Sequence, residues 1–181
     1  ADGRFTSFAA ACPELYERTL TVNGMSKGYA MSGWRVGYTA GPVAVIKAMT
    51  SLQSQSTTNA CTISQAAAAA ALVGDQSCVR EMCAEFERRH EFFFAGIRAL
   101  PGVSCVPAQG AFYLLPNVEA AMRTHGFATD IEFCEQLLER AGVALVPGTA
   151  FGAPGHVRLS FAASMATLDA ALARLREFLP T

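Results

Sequence analysis

Asn23-Gly-Met-Ser-Lys27-Gly-Tyr-Ala-Met-Ser-Gly-Trp-Arg35-Val-Gly37 carries one of only two lysines in the chain, eight residues from an arginine and surrounded by small residues and glycines. Upstream, Thr19-Leu-Thr-Val22 alternates polar and apolar residues and is β-branched, which predicts a strand. Downstream, Trp34-Arg-Val-Gly-Tyr-Thr39 predicts a second strand, closed by Gly41-Pro42. Lys27 therefore lies on the connection between two strands, where scaffolds commonly display functional groups.

A lone lysine in such a setting is a candidate amine nucleophile towards a carbonyl. A nearby guanidinium offers a planar fork suited to a phosphate. Together they point to an aldehyde cofactor bearing a phosphate, which is pyridoxal 5'-phosphate. The competing reading is a strand, a turn and a strand with two exposed basic residues.

With 181 residues the chain can bury a sizeable core as one large domain or two small ones. Half of it is hydrophobic (51%) and only 16% is charged, which excludes a disordered chain. A net charge of −1 with no basic stripe argues against nucleic acid as a partner. The most apolar run, Ile63 to Val73, is too short to span a membrane and predicts a buried helix; no secretory signal is visible. Cys12, Cys61, Cys78, Cys83, Cys105 and Cys134 form no Cys-x-x-Cys pair and read as reduced, mostly buried thiols of a cytoplasmic protein. His90, His125 and His156 share no metal-ligand spacing, so no metal is expected.

Along the chain, Pro13 to Glu17 predicts a short helix, and Val45, Ile46, Met49 and Leu52 repeat at helical spacing. After Ser56-Thr-Thr-Asn59 the alanine run continues as helix to Gly74, and one long helix is predicted from about Ser77 to Leu100. Short strands are predicted at 103–106, 111–115, 143–146 and 157–161. Thr129 or Asp130 caps a helix whose predicted buried face is Ile131, Cys134, Leu138 and Ala141, with Gly142 past its end. Ser164 caps the last helix, striped by Leu168, Leu172, Leu175 and Leu179. The break near residue 80 divides the chain into 1–79 and 80–181.

The run from Gly24 to Gly37 resembles the lysine signature of class I aminotransferases, the fold-type-I pyridoxal-phosphate enzymes. The resemblance extends through Gly148-Thr-Ala-Phe-Gly152 to His156-Val-Arg158-Leu-Ser-Phe-Ala162, and it is nearest to bacterial aspartate aminotransferases. It implies an α/β fold: 1–79 as the remnant of a large cofactor-binding domain, and 80–181 as an α+β C-terminal small domain. Ala1-Asp-Gly-Arg-Phe5 then reads as the inside of a longer polypeptide, so that this chain is the C-terminal half.

The resemblance further implies that Lys27 forms a Schiff base with pyridoxal phosphate and, once freed, shuttles the Cα proton as general base. Arg35 matches the arginine that grips the cofactor phosphate, and Ser26 stands where it can assist, although some relatives carry a serine at the position of Gly24. Arg158 matches the arginine that binds the substrate α-carboxylate. Ser56 to Asn59 falls where relatives place a loop near the partner subunit of a homodimer. Trp34 is expected to pack rather than stack on the cofactor.

The implied reaction moves an amino group between an amino acid, with aspartate favoured, and a 2-oxo acid, with 2-oxoglutarate favoured. Aromatic amino acids, prephenate and alanine remain alternatives for the substrate. A non-catalytic piece supplying core and dimer surface is the alternative of a different class. The 181 residues alone are expected not to turn over.

Overall fold

The structure, a computed structural model, describes residues 5–180. The stretch 1–4, read above as the inside of a longer chain, lies outside the described residues. The chain divides into two compact units, 1–81 and 82–181.

The first unit begins with a one-turn helix, α1 (Phe8–Ala11), capped by the Ser7 hydroxyl, which accepts from the Ala10 amide. The predicted short helix follows as a 3-10 segment over Pro13–Arg18. β1 (Thr21–Gly24) and β2 (Gly37–Ala40) pair antiparallel, with Thr21 opposite Ala40 and Gly24 opposite Gly37. Both strands lie later than their alternation predicted. Thr19 is drawn back to the preceding turn, its hydroxyl donating to the Leu15 carbonyl, and Ser32–Trp34 is spent on a 3-10 turn. Between the strands lies α2 (Met25–Gly28).

Two longer helices complete this unit, α3 (Val43–Ser56) and α4 (Thr62–Val73). The alanine run is helical as read, but it is not a buried helix. Only Ser64 and Ala68 are buried, while Ile63 and Val73 are 72% and 86% exposed. Alanine's side chain is too small to gather partners around the whole helix, and among the described residues only the face carrying Ala67, Ala68 and Ala71 is packed. Trp34, expected to pack, is 45% exposed. The cysteines, expected to be mostly buried, are not: Cys61, Cys78 and Cys83 are exposed and only Cys134 is buried.

The helix α5 (Ser77–Arg98) crosses the boundary between the units. In the second unit its residues Phe93 and Ile97 enter a core with Leu114, Phe133, Leu137, Val157 and Leu159. Three short strands, β3 (Tyr113–Leu114), β4 (Val146–Pro147) and β5 (Val157–Ser160), form an antiparallel sheet in the order β3-β5-β4. Of the predicted strand at 103–106, only a bridge between Ser104 and Asn117 forms.

Three more helices cover this sheet: α6 (Glu119–His125), α7 (Asp130–Ala141) and α8 (Met165–Phe178). In α8 the Ser164 hydroxyl accepts from the Thr167 amide, and Leu168, Leu172, Leu175 and the following Leu179 are all buried, as the leucine stripe predicts. Burying each such side chain contributes about 1.5–3 kcal/mol. Leu172 lies directly over Gly96 of α5, where any Cβ would collide with its methyl groups at 2.7 Å or closer. That contact explains a glycine in a helix interior, which otherwise costs about 1 kcal/mol.

In α7 the caps are as read: Thr129 accepts from the Glu132 amide, and Gly142 closes the helix in the left-handed conformation. Its buried face is corrected. Asp130, Phe133, Cys134 and Leu137 are inside, while Ile131 and Leu138 are 46% and 52% exposed. Phe133 meets Phe127 and Phe178 edge-on, and this larger apolar group sets the rotation of the helix.

Candidate functional site

Ser26, Lys27 and Arg35 are all carried by the connection between β1 and β2, in the first unit. The backbone there is held from beneath. Met25 and Met31 are buried against Ala67, Ala68 and Ala71 of α4, and the small side chains of that helix let the loop lie close. The Met25 amide donates to the Val36 carbonyl at 3.2 Å, and the Met31 amide donates to the Met25 carbonyl at 3.3 Å. The Tyr29 hydroxyl donates to Gln76 Oε1 at 2.8 Å, and the Gln76 amide in turn donates to the carbonyls of Ala71 and Gly74.

Held this way, the loop presents Lys27 as an exposed residue in the single turn of α2. Two non-glycine residues of the loop take left-handed backbone conformations, Ala30 at φ 53° and Arg35 at φ 51°. Such conformations cost about 1–3 kcal/mol each and cluster at functional sites. Arg35 is exposed and donates from Nη1 to the Ser32 carbonyl at 3.0 Å. Its other donors and the Ser26 hydroxyl engage no acceptor among the described residues. A primary amine, a guanidinium with donors to spare and a hydroxyl on one anchored loop are a donor set that fits an aldehyde bearing a phosphate.

Arg158 belongs to the second unit. It is half-buried on β5, the central strand, between Val157 and Leu159, which both point into the core. Its guanidinium carbon lies 4.5 Å from the centre of the Tyr113 ring and 4.5 Å from that of Phe151. The sheet register produces the first contact. Tyr113 stands opposite Ser160, so Arg158 is its diagonal neighbour on the same face, within reach of a long side chain. Phe151 arrives from the 3-10 turn Gly148–Phe151, which leaves β4 where Val146 pairs with Arg158.

Two aromatic rings thus flank the guanidinium and satisfy none of its N–H donors by a conventional hydrogen bond. Among the described residues no carboxylate or carbonyl takes its N–H groups. A half-buried cation in this state can take an anion, and its planar fork matches the geometry of a carboxylate.

The turn itself is tightly closed. The Gly148 amide donates to the His156 carbonyl at 2.7 Å, and the Ala153 amide donates to the Gly148 carbonyl at 3.0 Å. A Cβ at residue 148 would run into the Ala153 carbonyl oxygen, so this position requires glycine. Buried Asp130 accepts from the amide and the hydroxyl of Thr149, both at 2.7 Å. Tyr113, Phe151 and Asp130 were not legible as site residues, because cross-strand stacking and a bond spanning 19 positions leave no periodic trace in sequence.

The family model described as aminotransferase class I and II matches residues 2–175. An aspartate/prephenate aminotransferase of Nitrosomonas europaea is 46% identical over 97% of this chain and 46% of its own length. An aspartate aminotransferase of Geobacillus stearothermophilus is 47% identical over 97% of this chain and 45% of its own. Among solved structures, the aspartate aminotransferase from Rhizobium meliloti superimposes with a TM-score of 0.86 at 42% identity, covering 95% of this chain and 44% of that one. The aromatic aminotransferase from Pyrococcus horikoshii gives 0.87 at 38% identity, covering 99% and 47%. The chain thus spans a little under half the length of the curated relatives it matches. With an α/β architecture that follows solved aminotransferases over nearly all of its length, the chain belongs to the class I and II aminotransferase family.

Proposed function

We propose that the protein is a pyridoxal-phosphate-dependent aminotransferase working on aspartate and 2-oxoglutarate. The observation that carries this reading is the half-buried guanidinium of Arg158, in contact with the rings of Tyr113 and Phe151 and with no acidic or carbonyl acceptor among the described residues. Every amino acid and 2-oxo acid brings a carboxylate to such a fork. The preference for aspartate rests on the names of the relatives. The aspartate/prephenate and aromatic enzymes among them keep those substrates as the rival set.

Pyridoxal phosphate, when bound, supplies an aldehyde that captures amino groups and a ring that draws electrons from the substrate Cα. The residues of this chain do the rest. Lys27 would hold the aldehyde carbon and, as a released amine, would carry the proton from the substrate Cα to that same cofactor carbon. Arg35 holds the phosphate with Ser26 beside it. Arg158 would take the substrate carboxylate in its fork. In this reading residues 1–79 belong to a large cofactor-binding domain and 80–181 form the small domain. A second copy of the protein meets the Ser56–Asn59 loop, where Thr58 ends α3 in a left-handed conformation. We place the enzyme in the cytoplasm; among the described residues no helix is long and apolar enough to cross a membrane.

The test is to load the natural full-length protein with pyridoxal phosphate and measure amino-group transfer. Donors are aspartate, alanine and aromatic amino acids, and acceptors are 2-oxoglutarate and prephenate. The aspartate–2-oxoglutarate pair is expected to give the highest kcat/KM. A higher value for an aromatic donor or prephenate replaces the substrate assignment, and no transfer from any donor by the cofactor-loaded protein overturns the function.

A further inference from the structure

We propose that Asp130 is a positioning residue for Arg158, acting through the Thr149–Phe151 turn; this rests on Arg158 as the carboxylate-binding residue. Asp130 is the first residue of α7 and is 2% exposed. Its two oxygens are used separately: Oδ2 accepts from the Thr149 amide and Oδ1 from the Thr149 hydroxyl. Binding both groups of one residue fixes its backbone and its side-chain rotamer together. Two residues on, Phe151 lays its ring over the guanidinium of Arg158.

That ring is 49% exposed, so core packing does not hold it. Its place is set by the backbone that carries it. Asp130 supplies the side-chain hydrogen bonds to that backbone from a helix anchored by Phe133 and Leu137 in the core. An aspartate suits the task because two acceptor oxygens on a short stem meet two donors without leaving a buried proton unmatched. The carboxyl is also kept ionised. Burial pushes its pKa up, but the Thr149 hydroxyl and amide, with the amides of Asp130 and Ile131, outweigh that and leave it below the usual carboxylate range.

The competing account is an acidic residue that merely stabilises the start of α7. The two separate in readouts that helix stability does not move. In the natural full-length protein loaded with pyridoxal phosphate, the first readout is the dissociation constant of succinate, a non-reacting dicarboxylate. The second is the NMR signal of the Arg158 Nε–H, which the two flanking rings shift.

Asp130→Ala and Phe151→Leu are expected to weaken succinate about five-fold and to move the Arg158 signal, with the cofactor absorbance unchanged. An Asp130→Ala protein that melts earlier yet keeps succinate affinity and the Arg158 signal overturns the proposal. Thr149→Val, which removes one bond and leaves the charge, decides the matter if Asp130→Ala does not fold: wild-type values of both readouts overturn it. Arg158→Lys separates the two claims. Wild-type succinate affinity in that variant refutes the carboxylate role, whereas the Arg158 signal in the Asp130 and Thr149 variants tests the positioning by itself.

Discussion

The guanidinium of Arg158 and the ring of Tyr113 meet at 4.5 Å because β3 and β5 pair with Tyr113 opposite Ser160, which makes residue 158 the diagonal neighbour of residue 113. The stack therefore belongs to the sheet register and does not depend on side-chain search. It also explains why lysine is no substitute: an ammonium is neither planar nor able to stack on two rings while offering a fork. Arg158→Lys should weaken substrate binding by about 1.5–3 kcal/mol, roughly one to two decades in affinity, while cofactor binding persists. Steady-state KM and kcat/KM across several amino acids measure it, and unchanged values for every one of them would rule the role out.

Lys27 and Lys47 are the only lysines, which makes the cofactor attachment decidable by one labelling experiment. Lys47 lies on α3, a regular helix, whereas Lys27 sits on the loop anchored by Met25 and Met31. Borohydride reduction of the cofactor-loaded protein followed by peptide mapping should find the pyridoxyl group on Lys27. Label on Lys47 would end the assignment.

The anchoring of that loop is testable apart from any cofactor. Met25 is 1% exposed and packs with Met31 and Ala68. Met25→Ala leaves a cavity beneath Lys27, and such truncations cost about 2–5 kcal/mol. Urea unfolding should show the loss, and cofactor titration of the still-folded variant should show weaker retention. A stability within about 0.5 kcal/mol of wild type would mean that the loop is held by its hydrogen bonds instead.

Sequence legibility followed the range of the interactions. Signals within a few residues were readable: the Ser164 and Thr129 caps, the Gly142 stop, the leucine stripe of α8 and the lysine loop between two strands. The readings failed where a distant partner decides the outcome. Ile131 and Leu138 look as apolar as Phe133, and only the ring cluster with Phe127 and Phe178 shows which set turns inward. Strands of two to four residues, such as β3 and β4, owe their positions to pairing rather than composition, so their predicted ends shifted. At the candidate site, Lys27, Arg35 and Arg158 stood in readable motifs, whereas Tyr113, Phe151 and Asp130 meet their partners only through the sheet register and a long-range hydrogen bond.

Asp130 should leave a mark on stability against pH. Its carboxyl is held below its ordinary range, so it contributes stability that is fully present above the unfolded value, about 3.9. That contribution is lost as pH falls through the lower, folded value. Unfolding curves for wild type and Asp130→Ala should therefore be separated at pH 7 and converge only below about pH 4. A gap that instead widens as pH falls would mean that the carboxyl is raised in the fold, contrary to its hydrogen bonding.

Two cysteines should differ sharply in reactivity. Cys134 is buried on α7, and its thiol is pushed up to about 11, first by burial and then by the negative charges of Asp130 and Glu135. At pH 8 only about one molecule in a thousand then carries the reactive thiolate. Cys61 is exposed at the start of α4, where the amides of Ser64 and Ile63 lower its pKa. Iodoacetamide on the native protein at pH 8 should label Cys61 early and Cys134 only after denaturation, as peptide mass mapping reads directly. Equal labelling rates in the native protein would mean that α7 opens far more readily than its place in the core allows, because a closed α7 denies the reagent both access and thiolate.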